Sequence, residues 1–486
     1  MFRAARAIVM AAVIGALSPH GAVAQDARTV VSQASKAMGA DHLDAIRLYG
    51  SGASFNLGQS NNSNGPWPRT NLNDFNRWID FTAPASRASA VTWASPVTGG
   101  PAVQGAFSQV SSPANPAWAQ QLEIWTTPWG FLKGAASNNA TVSVRTIAGR
   151  TLRVVSWSTP QKAPSGAPYR LVGYIGPGGL VERVDTWLEN PVFGDMLVET
   201  DYTHYRDANG LKYPSAIVQK RGGWPTFEAQ ILGVAANPAD IRERLAPPAG
   251  AASGPPGPPP AAQGPASEKL ADGVWRIRGA YNALAVEFSD YILLFEPGPQ
   301  NEARAQAIIA EARRVIPGKP IRYGVISHHH FDHTSGLPAV VAEGITIVTP
   351  AVNKAFLERA LGAPRTLAPD SMSRSGRKPL IEGFAGDKRV FQDATRTFEV
   401  HVIKGLPHAD GLVIGYLPKE KILVYADMFN LPPASAPVPD PPVVGTGVFL
   451  ANIERLHLEP EKIMSVHSLN PDRLATLQDI RASLGR

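Results

Sequence analysis

Residues 246–266, APPAGAASGPPGPPPAAQGPA, constrain the chain more than any other stretch. Proline has no N–H to give to a helix or a sheet ladder, and glycine loses the most entropy when ordered. The segment is therefore predicted to be an extended, semi-rigid tether between two folded units, residues 25–245 and 267–486. A chain of 486 residues has enough material for two cores. Apolar content of 44% and charged content of 18% suit folded rather than disordered units. The formal charge of +6 is spread without a block of Lys and Arg, so no nucleic-acid partner is expected.

The N-terminus carries Arg3 and Arg6, then the apolar run Ala7–Leu17, then Ala22-Val23-Ala24. That order predicts a signal peptide over residues 1–24, cleaved after Ala24, and a periplasmic or secreted protein. The apolar run is shorter than the roughly 20 residues that span a bilayer, so no stable membrane span is expected. Cysteine is absent. Disulfides are thereby excluded, and any metal site must be built from His, Asp, Glu and water.

Between residues 25 and 245 the pattern predicts an antiparallel, β-rich domain with a few helices. Ala27–Met38, closed by Gly39, is expected to be helical. Strand-like runs follow at Ile46–Leu57, Arg87–Trp93, Thr141–Trp157, Tyr169–Ile175, Leu180–Leu188, Met196–Tyr205 and Tyr213–Lys220, with turns at Gly176–Gly179 and Asp207–Gly210. Trp118–Leu132 has helical spacing interrupted by Pro128. His42 and His204 have no neighbouring His or carboxylate in a ligand pattern and are read as structural or surface residues.

After Lys269 the texture changes. Val274–Ile277, Leu284–Phe288 and Tyr291–Phe295 read as strands, Glu302–Val315 as an amphipathic helix, and Arg322–Ser327 as a further strand. Leu337–Glu343 and Val352–Leu361 are expected helices flanking the strand Ile345–Thr349. Strands are predicted at Val390–Ile403, Leu412–Leu417 and Ile422–Tyr425. Alternating strands and helices with some hairpin links predict an α+β unit with mixed sheets.

The histidine run follows the strand Arg322–Ser327 at once. His328, His330, Asp332 and His333 fit the pattern HxHxDH. Imidazoles suit zinc and similar first-row metals, and a tight loop past a strand end can converge them on one point. The bland reading, a fortuitous histidine tract, fits the placement at a strand end poorly. His408, in the loop Gly405–Gly411, Asp427, after Ile422–Tyr425, and His467, after Ile463–Val466, also sit at the ends of predicted strands.

This order resembles the metallo-β-lactamase-fold superfamily over about Lys269–Arg486. The resemblance implies a four-layer αββα sandwich with two divalent metal ions, zinc foremost. It implies His328, His330 and His408 as ligands of the first ion, Asp332, His333 and His467 as ligands of the second, and Asp427 as the bridge. Asp332 would also orient the attacking water, as the catalytic residue. Glu296 stands where the family usually has Asp. His329 is expected beside the ligands or exposed, His401 on a strand and His457 in a helix, the last two structural. With Asp427 present and no Cys, the ligand set is similar to the glyoxalase II, lactonase and phosphodiesterase branches rather than to true β-lactamases. The implied activity is hydrolysis of a small-molecule ester, lactone, thioester or related bond. Two other readings stay open: a mononuclear iron oxidoreductase of the same fold, and a non-enzymatic envelope protein with a degenerate hydrolase domain. The segments ASKAMGADHLDAIRLYGSG and TDYTHYRDANGLKYPSAI resemble lipoprotein-carrier-type envelope domains. That would imply a hydrophobic or lipid-like ligand on the N-terminal domain. Asn430–Val444, rich in proline, is expected as a passive connection or a stiff wall at the site, and Ser371–Lys378 as a solvated loop.

Overall fold

The computed structural model describes residues 26–94, 102–113, 117–246, 266–433, 437–469 and 472–486. The signal segment 1–24 and linker residues 247–265 lie outside the described residues. No helix among the described residues is long and apolar enough to cross a membrane.

One eleven-stranded antiparallel sheet takes up most of residues 45–236. From Ala45–Phe55 the chain meanders outward to the edge strand Val103–Ser111. It crosses to the opposite edge, Thr141–Ile147, through the helices Trp118–Trp125 and Pro128–Ser137. It then meanders back until Trp224–Ala236 pairs with the first strand, Ile46 opposite Ala236. Pro128 does not kink one helix but opens the second, where its missing N–H costs nothing. Thr127 caps that helix, its hydroxyl accepting from the Gly130 N–H at 3.1 Å. Both helices and Ala27–Met38 bury one face of the sheet, with Met38, Trp118, Trp129 and Phe131 against Phe75, Val155 and Leu171.

The predicted run Thr141–Trp157 is two strands. Ala148 and Gly149 have φ of 48° and 75°, and this turn separates Thr141–Ile147 from Arg150–Lys162. Arg69–Asp80, Val103–Ser111 and Trp224–Ala236 are strands that the pattern did not single out. In Arg69–Asp80 the polar sequence RTNLNDFNRWID hides the alternation, because its first half leaves most side chains in water.

The C-terminal part has four layers. A seven-stranded sheet runs from Ser267–Ala271 to Ile381–Phe384, antiparallel over its first four strands and parallel thereafter. A five-stranded sheet runs from Lys388–Gln392 to Lys462–Ser465, antiparallel except for its last pair. The period-two alternation of a strand assigns each residue to a layer. In Ile292–Phe295, Ile292 and Leu294 face Ile308 and Ile309 of the helix Glu302–Val315. Leu293 and Phe295 face the other sheet, meeting Phe398, Val400 and Val424. In Ile422–Tyr425, Leu423 and Tyr425 turn outward to Phe449 and Ile453 of the helix Val444–Arg455. Strands buried on both faces explain why these runs are apolar throughout. The predicted strand Val390–Ile403 is a hairpin, Lys388–Gln392 and Thr397–Val402, turned by Asp393. Ser371–Ser375 is a short helix tied to Glu302 instead of a free loop. The Pro-rich run Asn430–Val444 ends where the helix Val444–Arg455 begins, and its residues 434–436 are outside the described ones.

Phe398 is fully buried between the two sheets. Phe398→Ala is expected to destabilise the C-terminal part by about 3–5 kcal/mol. Val144, 68% exposed on an edge strand, should tolerate alanine within about 0.5 kcal/mol. Urea unfolding checks both.

Candidate metal centre

Strand ends from both sheets meet at one rim of the sandwich. The strand Ile321–Val325 delivers Ser327, His328 and His330, and the short helix Phe331–Thr334 carries Asp332 and His333. The loop between Thr397–Val402 and Val413–Leu417 brings His408, Ile422–Tyr425 brings Asp427, and Lys462–Ser465 brings His467. Backbone bonds lock the rim, one across the two sheets and one within the five-stranded sheet. Val413 N–H donates to Ser327 O at 2.9 Å, and Val466 N–H to Tyr425 O at 2.8 Å. Asn282 pins the strand that leads to His467, its side chain donating to Ser465 O at 3.0 Å.

The seven sequence-predicted residues fall into two groups, His328 with His330 and His408, and Asp332 with His333, Asp427 and His467. Within each group one ligand atom per residue lies within 4.8 Å of all the others. His328 Nε2 and His408 Nε2 are 3.3 Å apart, and so are His333 Nε2 and His467 Nε2. Asp427 stands between the groups. Its Oδ2 is 2.9 Å from His333 Nε2 and 3.8 Å from His328 Nε2, while its Oδ1 is 3.0 Å from His467 and 3.8 Å from His408. Among the described residues, Oδ2 nonetheless has no aligned hydrogen-bond partner, nor does His330 Nδ1. Buried polar atoms are normally satisfied, so unpartnered donors converging on two points suit bound cations.

Residues 276–447 match the family model of the metallo-beta-lactamase superfamily. The C-terminal part of this chain is a metallo-beta-lactamase superfamily domain. Among solved structures, the chain is similar to a metallo-beta-lactamase from Pontibacter korlensis, at 17% identity, over 45% of this chain and 96% of that one, with a TM-score of 0.32. It is also similar to the metallo-beta-lactamase FIM-1 from Pseudomonas aeruginosa in its mono-zinc form, at 15% identity, over 45% and 92% of the two chains, TM-score 0.32. A flavodiiron protein from Giardia intestinalis matches at 16% identity over 47% of this chain and 59% of that one, TM-score 0.32. No curated protein matches the chain.

In this superfamily domain Glu296 occupies the strand end with φ of 63°, and it is fully buried. Its longer side chain spans two partners. Oε1 accepts from Ser327 N–H at 2.5 Å, and Oε2 lies 2.8 Å from His333 Nδ1. Holding Nδ1 turns Nε2 of His333 to the ligand group, the usual work of a carboxylate behind a metal-binding histidine. Ser327 Oγ does the same for His328 Nδ1 at 2.9 Å. His329 is buried and bonded to Ser60. His401 is on a strand beside Glu399 at 2.8 Å, as expected. His457 is not helical: it follows the end of Val444–Arg455 in a turn with φ of 53°.

Three residues at the site carry no motif. Tyr281 donates its hydroxyl to Asp332 Oδ2 at 3.0 Å and lies against His467 with ring centroids 4.5 Å apart. Gln59 donates to Asp332 Oδ1 at 2.8 Å, and Ser60 O lies 3.0 Å from His330 Nε2. Gln59 and Ser60 lie in the loop that joins the first two strands of the N-terminal sheet. A signal for Tyr281 existed in its place just before the strand Ala283–Glu287, on the rim beside Glu296.

Burial pushes the imidazoles of His328 and His330 well below the ordinary 6.5, lowers His408, and takes His329 down to about 4. Burial acts on His333 in the same sense, but the carboxylates of Glu296 and Asp427 outweigh it and hold that imidazole well above 6.5. A histidine with a lowered folded pKa contributes stability above about pH 6.5 that is lost as pH falls. His333 works in the opposite sense, its contribution being lost as pH rises through its raised value. Four lowered groups against one raised group predict that the metal-free protein loses stability as pH falls below about 6.5. Urea midpoints measured with chelator at about pH 7.5 and about pH 5.5 check this, and equal midpoints would contradict it.

Proposed function

We propose that the chain is an exported, dinuclear metal-dependent hydrolase of ester, lactone, thioester or related bonds in small molecules. His328, His330 and His408 would hold one divalent cation, and Asp332, His333 and His467 the other, with Asp427 bridging them. The carrying observation is the position of Asp427, whose two oxygens reach both histidine groups. A donor set of imidazole and carboxylate with no thiolate favours zinc. When bound, such cations polarise a carbonyl or phosphoryl oxygen and lower the pKa of water to about 7.

The protein's own share is orientation. Asp332 is fixed from both sides, by Gln59 on Oδ1 and Tyr281 on Oδ2, so its carboxylate is set before substrate arrives. Burial and the neighbouring Asp332 carboxylate push the Tyr281 phenol up, which keeps its proton in place as a donor near neutral pH. The imidazoles of the first group are neutral, the state in which nitrogen can bind a cation. Asp427 in place of Cys supports ester-type substrates over β-lactams. Export through residues 1–24 is part of the proposal. A lipid-like ligand on the N-terminal sheet gains no support, because the chain's own helices fill the apolar face there.

Two groups, each with its own histidines, favour two cations over the single iron of an oxidoreductase. Asp332→Asn and Asp427→Asn are expected to lower turnover of ester and lactone substrates about 10²- to 10⁴-fold. His330→Ala should lose one equivalent of metal. The screen pairs hydrolysis with oxygen uptake; full activity in these variants, or oxygen consumption without hydrolysis, would overturn the proposal.

A further inference from the structure

The hairpin joining Ala45–Phe55 to Arg69–Asp80 belongs to the N-terminal sheet, yet its connecting residues 56–68 end in the metal centre. Two sets of contacts hold the loop there. On the HxHxDH side, Phe331 N–H donates to Gly58 O at 3.1 Å. Trp67 lies edge-on to Phe331 at 5.8 Å, and Phe193 meets the same ring at 5.3 Å. On the His408 side, Asp410 N–H donates to Asn61 O at 2.6 Å, the Asn61 amide donates to Pro407 O, and Asn62 donates to Asp410 at 3.1 Å. Ser63 adds a bond to Val352 O at 3.0 Å. The loop thus clips together the two segments that carry the first histidine group.

Its tip then meets the ligands directly. Ser60 O lies 2.8 Å from His329 Nε2 and 3.0 Å from His330 Nε2. A carbonyl oxygen only accepts, so each of these nitrogens carries the proton of its neutral ring. That choice leaves Nδ1 of His330 as a bare lone pair, buried and without a partner among the described residues. Gln59 meanwhile holds Asp332, a member of the second group. Burial is lopsided in consequence. His328, His330 and His408 are at most 4% exposed, whereas the side chains of Asp332 and His467 are 31% and 29% exposed.

We propose that residues 56–68 of the N-terminal sheet are a working part of the metal centre. In this arrangement the Ser60 carbonyl sets the His330 tautomer, Gln59 positions Asp332, and the loop closes the three-histidine side. Among the described residues, the side of the centre left open to substrate is then the one with Tyr281, Asp332 and His467. The inference rests on the metal reading above and goes beyond it, because it makes the N-terminal sheet a determinant of metal affinity and of the direction of approach. Ser60 and Gln59 are positioning residues.

The test uses the full chain with cobalt(II), followed by visible absorption and by competition with a chelating indicator. Gln59→Ala removes the hydrogen bond to Asp332 and leaves all seven proposed ligands in the chain. It is expected to weaken one of the two cobalt ions about 10- to 100-fold and leave the other unchanged. Gly58→Val displaces the loop, since Gly58 has φ of 86° and a Cβ there would overlap the Phe331 ring. It is expected to weaken both ions and to shift the cobalt absorption bands. Wild-type affinities and an unchanged spectrum in both variants would overturn the role of the loop while leaving the metal centre standing. A wild-type chain that takes up no cobalt would overturn the metal reading and this inference together.

Discussion

His328 Nε2 faces His408 Nε2, and His333 Nε2 faces His467 Nε2, each pair 3.3 Å apart, with the Asp427 carboxylate set between them. Lone pairs and carboxylate charge packed this closely, with the first group shut off from water, cost free energy unless a cation satisfies them. The rest of the C-terminal part holds that arrangement in place. Two sheets end their strands on the same rim, and backbone bonds such as Val413 to Ser327 join them there. Glu296 and Ser327 hold the far nitrogens of His333 and His328. Glu296 and Asp427 both take left-handed backbone conformations, with φ of 63° and 59°, directly past their strands. Strained backbone of this kind persists where the surrounding structure over-determines it, and it collects at functional sites.

The sequence was most legible where the information is local. HxHxDH places four side chains in six residues, and the apolar strand before it gives the run a structural address. Asp427 and His467 could be found because each follows a strand whose both-sided burial makes it conspicuously apolar, and His408 because its loop leads into the equally buried strand Val413–Leu417. Layer assignment in Ile292–Phe295 follows from the same alternation. Where one face of a strand is wet, as in Arg69–Asp80, the polar residues mask the pattern, and the strand goes unread. Pro128 shows a second difficulty, since the residue that breaks one helix also begins the next.

Gln59 and Ser60 were out of reach for a different reason. Ser60 acts through its backbone carbonyl, which any residue would supply, and it meets a histidine 270 positions away. Gln59 is one of five side-chain amides in NLGQSNNSNG, a stretch with the composition of an ordinary polar turn. Neither carries a spacing or a composition that points to a metal. Only the way the N-terminal sheet meets the sandwich brings them to the site. The Pro/Gly-rich residues 246–266 therefore stand, in sequence, between two stretches that meet in space at Phe331 and Asp332. The aromatic contact of Trp67 and Phe193 on Phe331 gives that convergence a physical anchor within the motif itself.

The account stands or falls on two cations in a site closed on one side by the N-terminal loop. Anomalous X-ray scattering from crystals of the full chain grown with zinc tests it most directly. The prediction is two peaks, one among His328, His330 and His408 and one among Asp332, His333 and His467, with Asp427 between them and Ser60 O still on His330. A single peak, no peak, or a loop withdrawn from His330 while both ions are bound would contradict it.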